Sequence, residues 1–166
     1  MSSSRGAELN VFNGRRGGGR VPRRPRDFFS RRYRHRIGYE GEYYLIRKLN
    51  DLKRPGYCAV RTPGSGTGKL SVKPDILAVD GGELCAIEVK STNKREVYIG
   101  REQLERLLAF TCLFVVRCPS CGHEIRPKPL VAVRFLNRGW VIREVEEVRE
   151  GITVRAEEVG DGDRSG

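Results

Sequence analysis

Leu45, Leu49 and Leu52 fall at i, i+4 and i+7 with polar residues between them, the spacing of a helix that buries one face. The pattern predicts a helix over residues 38–53, stopped by Pro55-Gly56. Tyr57–Arg61 reads as a short strand and residues 62–73 as a Gly/Ser/Pro loop. Residues 73–91, KPDILAVDGGELCAIEVKS, read as two apolar strands closed into a hairpin by Gly81-Gly82. A second stripe, Leu104, Leu107, Leu108 and Cys112, predicts a helix over residues 100–116 with all four on its apolar face. Residues 130–136 and 140–145 read as two more strands, joined at Asn137-Arg138-Gly139. The order α-β-β-β-α-β-β predicts an α/β or α+β domain, a mixed central sheet flanked by helices.

Outside residues 37–150 the apolar pattern fades. Residues 1–36 are rich in Gly, Arg, Ser and Pro and read as a disordered arm, because they bury too little to offset ordering. Residues 151–166, acidic and Gly-rich, read as a flexible tail. At 166 residues the chain is one domain with appendages, and its 38% hydrophobic content is concentrated after the arm.

Charge sharpens that division. The arm holds eleven arginines against Glu8 and Asp27, so nearly all of the chain's net +11 lies there. With no apolar face beside it, such a cluster suits nucleic acid better than a membrane. Arginines 31, 32, 34 and 36, interleaved with Phe28, Phe29 and Tyr33, have the composition of segments that grip nucleic acid by charge and stacking. The N-terminus shows no apolar leader, and the longest apolar run, residues 107–116, is too short to span a bilayer. A soluble cytoplasmic, nucleoid-associated protein is expected. Five cysteines, an odd number, argue against a disulfide framework.

The hairpin carries the chemistry. Side chains alternate along a strand, so Glu88 and Lys90 share one face and Val89 takes the other. The antiparallel return can set Asp75 beside Glu88, and two carboxylates held that close need a cation. A hard divalent ion, Mg²⁺ or in its place Mn²⁺, fits oxygen ligands. Taken alone, Glu-x-Lys in a strand is usually a solvated surface, and so is a helical Glu42.

The surroundings change that balance. Pro74-Asp75…Glu88-Val89-Lys90 looks like the P-D…(D/E)-x-K nuclease motif. Around it stand Gly38-Tyr39-Glu40-Gly41-Glu42, Val60-Arg61-Thr62-Pro63-Gly64-Ser65-Gly66, Val97-Tyr98-Ile99-Gly100-Arg101-Glu102-Gln103 and the hairpin from Val131 to Trp140. Together, over roughly residues 36–146, they resemble the archaeal Holliday junction resolvases, the Hjc/Hje group. That resemblance implies a restriction-endonuclease-like fold and a homodimer that resolves four-way DNA junctions by paired symmetric nicks with Mg²⁺. It implies Glu42, Asp75 and Glu88 as metal ligands and Lys90 as a catalytic amine. Ser65 would lie on a loop at the scissile strand, and Arg61 would hold a nearby phosphate. Lys73, Lys94, Arg95 and Arg101 would extend the DNA-binding surface. Two rival readings are another nuclease of this fold acting on duplex or flap DNA, and a non-catalytic DNA-binding protein.

Three features depart from the family pattern. Tyr43 follows Glu42 where an Arg is favoured, and Glu40 adds an acid that could exchange roles with Glu42. The third is Cys118-Pro119-Ser120-Cys121-Gly122-His123, which looks like half of a zinc ribbon inserted around residues 117–128. Zinc needs four ligands, and Cys112 and His123 could complete the set, or a dimer could share it. An ordinary reduced or disulfide-linked loop and a redox pair are the alternatives.

Overall fold

The computed structural model describes residues 30–62 and 72–160, without the side chain of Arg34. Its first helix, α1 (Arg31–Asn50), begins about two turns before the leucine spacing predicts. Ser30 caps it by accepting from the Tyr33 N–H at 3.2 Å, and Arg36 pairs with Glu40 one turn on. Among the described side chains of residues 31–37 only Ile37 is buried, so no hydrophobic period marks this stretch. Residues 31–36, expected in the arm, are therefore helical; residues 1–29 lie outside the described residues. The helix ends at Asn50, whose amide exchanges two hydrogen bonds with the backbone of Ala59 (3.0 and 2.7 Å).

Ala59 belongs to β1 (Tyr57–Arg61), which leads to β2 (Ile76–Asp80) and β3 (Glu83–Thr92). Gly81 and Gly82, at φ 62° and 90°, make the β2–β3 turn that side-chain-bearing residues rarely adopt. Then come β4 (Glu96–Ile99), α2 (Arg101–Leu113), β5 (Val116–Arg117), β6 (Glu124–Ile125), β7 (Lys128–Phe135), β8 (Gly139–Glu144) and β9 (Ile152–Arg155). The main sheet runs β1-β2-β3-β7-β8, antiparallel except for the parallel β3–β7 pair.

The central strands are buried on both faces, as a covered mixed sheet requires. Leu45 and Leu49 of α1 pack on Ala59, Ile76, Ala78, Ile87 and Val89. On the other face Leu104 and Leu107 of α2 pack with Ala86, Val131, Val133 and Phe135. The expected mixed sheet between helices is thus present.

Two expectations are corrected. Cys112 is exposed, and Thr111 takes the buried place on α2, because its hydroxyl donates to the Leu108 carbonyl at 2.8 Å and so needs no water. The stretch expected to fray contains β9, which pairs with β4 and buries Val154 completely. Only Ile152 and Val154 are apolar there, and their partner lies some fifty residues back in the chain. Among the described residues no helix is long and apolar enough to cross a membrane.

Gly41 lets α1 approach β3: a Cβ there would strike the Ser91 hydroxyl. Gly41→Ala is expected to cost about 1–3 kcal/mol, the usual range for overpacking. Urea unfolding checks this, and an unchanged midpoint would show that the helix shifts freely.

Candidate active site

β2 pairs with β3 only as far as Ile76 opposite Ile87. Pro74, buried and without an N–H, cannot continue the ladder. Asp75, at the break, is fixed by its main chain: its N–H donates to the Ile87 carbonyl (3.1 Å) and its carbonyl accepts from the Thr62 N–H (3.0 Å). The Thr62 hydroxyl donates to the Pro74 carbonyl and braces the same turn. Asp75 Oδ2 then accepts from the Val89 N–H at 2.8 Å, replacing the strand that has ended. The register continued by one residue sets Asp75 opposite Glu88.

Val89 is buried on the α1 side, which leaves Glu88 and Lys90 on the other face. Lys90 Nζ donates to Glu88 Oε1 at 2.6 Å, and Gln103 Nε2 of α2 reaches the same oxygen at 3.3 Å. Burial pushes the Glu88 carboxyl above the ordinary carboxylate range; Lys90 pulls it back, Asp75 pushes it further up, and Arg106 pulls it down. Burial dominates, so the charged form of Glu88 is under-compensated by the chain alone.

Where β2 and β3 part, a cavity of about 800 Å³ opens, lined by Arg31, His35, Glu42, Arg61, Asp75 and Lys90 among others. Glu42 projects from α1 and is ion-paired with Arg61, whose guanidinium lies 4.9 Å from the Tyr39 ring centre. That hydrogen bond to Glu42 holds Arg61 more firmly protonated than usual, against a smaller opposing effect of burial. Glu40 turns instead to Arg36, so Glu42 is the acid that faces the cavity. A second cavity of about 990 Å³ is lined by Tyr44, Arg134, Arg138 and Trp140 but by neither Asp75 nor Glu88. It is the larger opening, but Glu42, Asp75 and Lys90 line the smaller one, with Glu88 next to Lys90 just outside its lining, so the smaller one is the better candidate centre.

The expected ligand sets are not assembled. Among the described residues no three acidic, His or Cys side chains converge on one point. Glu42 is engaged by Arg61 and Glu88 by Lys90, so the three carboxylates share a region without forming a cage. Cys112, Cys118, Cys121 and His123 likewise make no single-chain site. Cys112 sits in the last turn of α2, and the other three lie at the β5–β6 turn. All five cysteines are free thiols. The Cys118 thiol is lowered by N–H groups of Cys121 and Ser120 donating to its sulfur.

Ser65 lies outside the described residues, as does the side chain of Arg34. Arg31 and Arg61 line the cavity; Arg32 is exposed on α1, and Arg36 is paired with Glu40. Lys73 leads into Pro74 and Asp75. Lys94 and Arg95 occupy the β3–β4 connection and Arg101 opens α2, paired with Glu105 at 2.6 Å; none of the three lines the cavity. Tyr43, in place of an Arg, is exposed and meets Tyr44 edge to face. Sequence reasoning gave no role to Gln103, His35 or Arg106. Gln103 carried two signals: it closes the segment 97–103, one of those that carry the family resemblance, and it is a polar residue four before Leu107, beside the buried stripe of α2.

Residues 33–162 match a family model described as archaeal Holliday junction resolvase (Hjc). A crossover junction endodeoxyribonuclease of Sulfolobus islandicus rod-shaped virus 1 is 40% identical over 78 residues, 47% of this chain and 64% of that protein. The Hjc endonuclease of Sulfurisphaera tokodaii is 36% identical over 74 residues, 44% of this chain and 49% of that one. The matched stretches thus span about half to two-thirds of these relatives. The Hje endonuclease of Saccharolobus solfataricus is 31% identical over 123 residues, 74% of this chain and 76% of its own. The structure of Archaeoglobus fulgidus Hjc aligns with a TM-score of 0.55 at 23% identity, covering 73% of this chain and 90% of that one, which establishes the shared fold. On the extent of the family match, the chain belongs to the archaeal Holliday junction resolvase (Hjc) family.

Proposed function

We propose that this chain is a structure-selective endonuclease that resolves four-way DNA junctions by paired, symmetric phosphodiester nicks, with Mg²⁺ as cofactor. The observation that carries the reading is Asp75 facing Glu88 across the end of the β2–β3 ladder, with Lys90 on the second acid. Nucleases of this family are typically metal-dependent. The donor set suits a hard cation: two carboxylates face each other, and burial raises the Glu88 carboxyl even with Lys90 beside it. Asp75 and Glu88 would hold the ion, with Glu42 joining once it leaves Arg61.

A bound Mg²⁺ supplies Lewis acidity toward the scissile phosphate. The chain's own groups do the rest. Lys90, which now donates to Glu88, would offer its ammonium to charge developing on the phosphate oxygens. Arg61, released from Glu42, can take a neighbouring phosphate, and Arg31 at the cavity wall another. Asp75, Glu88 and Glu42 would hold the ion, and Lys90 and Arg61, now paired with two of those acids, would then be available to phosphate. A two-fold dimer would match the two symmetry-related strands of a junction. Selectivity would come from branch shape, because cations on phosphates read no bases.

Gln103→Ala is expected to slow nicking about 10–100-fold, as for loss of a group that orients a metal ligand. Junction binding, measured by gel shift in EDTA, should be unchanged. Equal loss of binding would make Gln103 part of the DNA surface instead. Removing residues 1–29, with their seven arginines, should weaken junction binding. The slope of log affinity against log salt should become shallower by about 0.9 for each phosphate that is no longer neutralised. At saturating protein the cleavage rate should persist.

The function is tested with a labelled immobile junction beside linear duplex of the same sequence, in Mg²⁺. Two symmetric, ligatable nicks on the junction alone are expected. Equal cutting of duplex would favour a repair or restriction type nuclease, and binding without any cutting a non-catalytic DNA-binding protein.

A further inference from the structure

Apart from the cavity, the β5–β6 pair carries Cys118 and Cys121 at its turn. The turn is closed by two main-chain bonds. The Cys118 N–H donates to the His123 carbonyl at 2.8 Å, and the Gly122 N–H to the Cys118 carbonyl at 2.9 Å. Gly122 stands at φ 73°, in the left-handed region that glycine tolerates. Hydrogen bonding from Cys121 and Ser120 holds the Cys118 thiol below its ordinary range. One tight turn thus carries two free thiols three residues apart.

Two sulfurs are half of what a structural zinc takes. The described residues of one chain do not supply the other half, since no third acidic, His or Cys ligand converges there. Cys112 lies on α2, Cys85 is buried in the main sheet, and Cys58 is on β1. The flanks of the hairpin are also incomplete. Val116 and Ile125, paired across the strands, are 45% and 44% exposed, and Leu113 beside them in sequence is 76% exposed. Apolar flanks around a half-filled ligand set are what an identical surface would cover.

We infer that Cys118 and Cys121 from two copies of this chain hold one zinc ion between them, a four-thiolate site on a two-fold axis. Each copy brings the same two ligands and the same apolar flank, as an isologous contact requires. Four thiolates around Zn²⁺ carry net negative charge. Arg117 and Arg126, sharing the single acid Glu124 at the base of the hairpin, leave a positive excess on each copy to balance it.

Reduced, metal-free full-length protein is titrated with Co²⁺ while thiolate-to-cobalt charge-transfer absorption is followed. Oxygen-bound Co²⁺ at the carboxylates gives no such band, so the two sites are read separately. The expected endpoint is one ion per two chains, with an increase in particle mass by light scattering. Cys58→Ser and Cys112→Ser should behave as the parent; Cys118→Ser and Cys121→Ser should each lose the band. An endpoint of one ion per chain would overturn the shared site. So would absorption that survives Cys121→Ser, or a parent protein that binds no Co²⁺ whether its thiols are free or joined. The parent's stoichiometry decides the matter even if a variant folds poorly.

Discussion

Asp75→Asn is expected to abolish nicking and leave junction binding intact. The substitution keeps the shape of the side chain, and an amide oxygen can still accept from the Val89 N–H, so the turn at Thr62 and Pro74 should hold. What disappears is the charge that faces Glu88. A lone carboxylate binds a divalent ion poorly, and the loss of one preorganised electrostatic partner typically costs about 10²–10³-fold in rate. Single-turnover cleavage beside gel shifts in EDTA reads both quantities. Activity within a few-fold of the parent would remove Asp75 from the reacting centre.

Glu88→Gln should be comparably inactive, and it makes a second, opposite prediction about stability. Burial raises the Glu88 carboxyl in the folded chain, so the fold favours its neutral form. The stability tied to that preference is fully present below the ordinary carboxylate range. It is lost as pH rises through the raised folded-state value. A glutamine never ionises. The parent should therefore lose denaturant resistance relative to the variant between acid and neutral pH, in metal-free buffer. Mg²⁺ should restore the parent and not the variant, by about 2.7 kcal/mol at a hundred times its dissociation constant. A pH-independent difference would mean that Lys90 compensates Glu88 fully.

The central hairpin was legible because its logic is local. Gly81-Gly82 fixes the register, register sets Asp75 opposite Glu88, and alternation separates Val89 from its neighbours. Glu42 was not legible in that way. Its place beside Arg61 depends on how α1 lies over the sheet, and only the family resemblance singled it out. The start of α1 escaped because a polar capped end has no hydrophobic period. Strand β9 escaped because its partner is distant in sequence. The exchange of Cys112 for Thr111 turns on a single hydroxyl bond back to the helix, which spacing alone does not encode. Gln103 shows the same gap, since its value comes from contact with Glu88 across two elements.

Glu42, Glu88 and their cationic partners explain why three acids in one region do not form a cage in the chain by itself. Arg61 and Lys90 neutralise these acids in the chain by itself, and on the proposed reading both would become free for phosphate where a metal took their place. That exchange is the core of the account, and anomalous X-ray scattering from crystals grown with Mn²⁺ tests it most directly. A manganese peak touching carboxylate oxygens of both Asp75 and Glu88, with Lys90 turned away from Glu88, is the predicted result. No peak between those two acids at saturating Mn²⁺, with the Lys90–Glu88 pair intact, would contradict it.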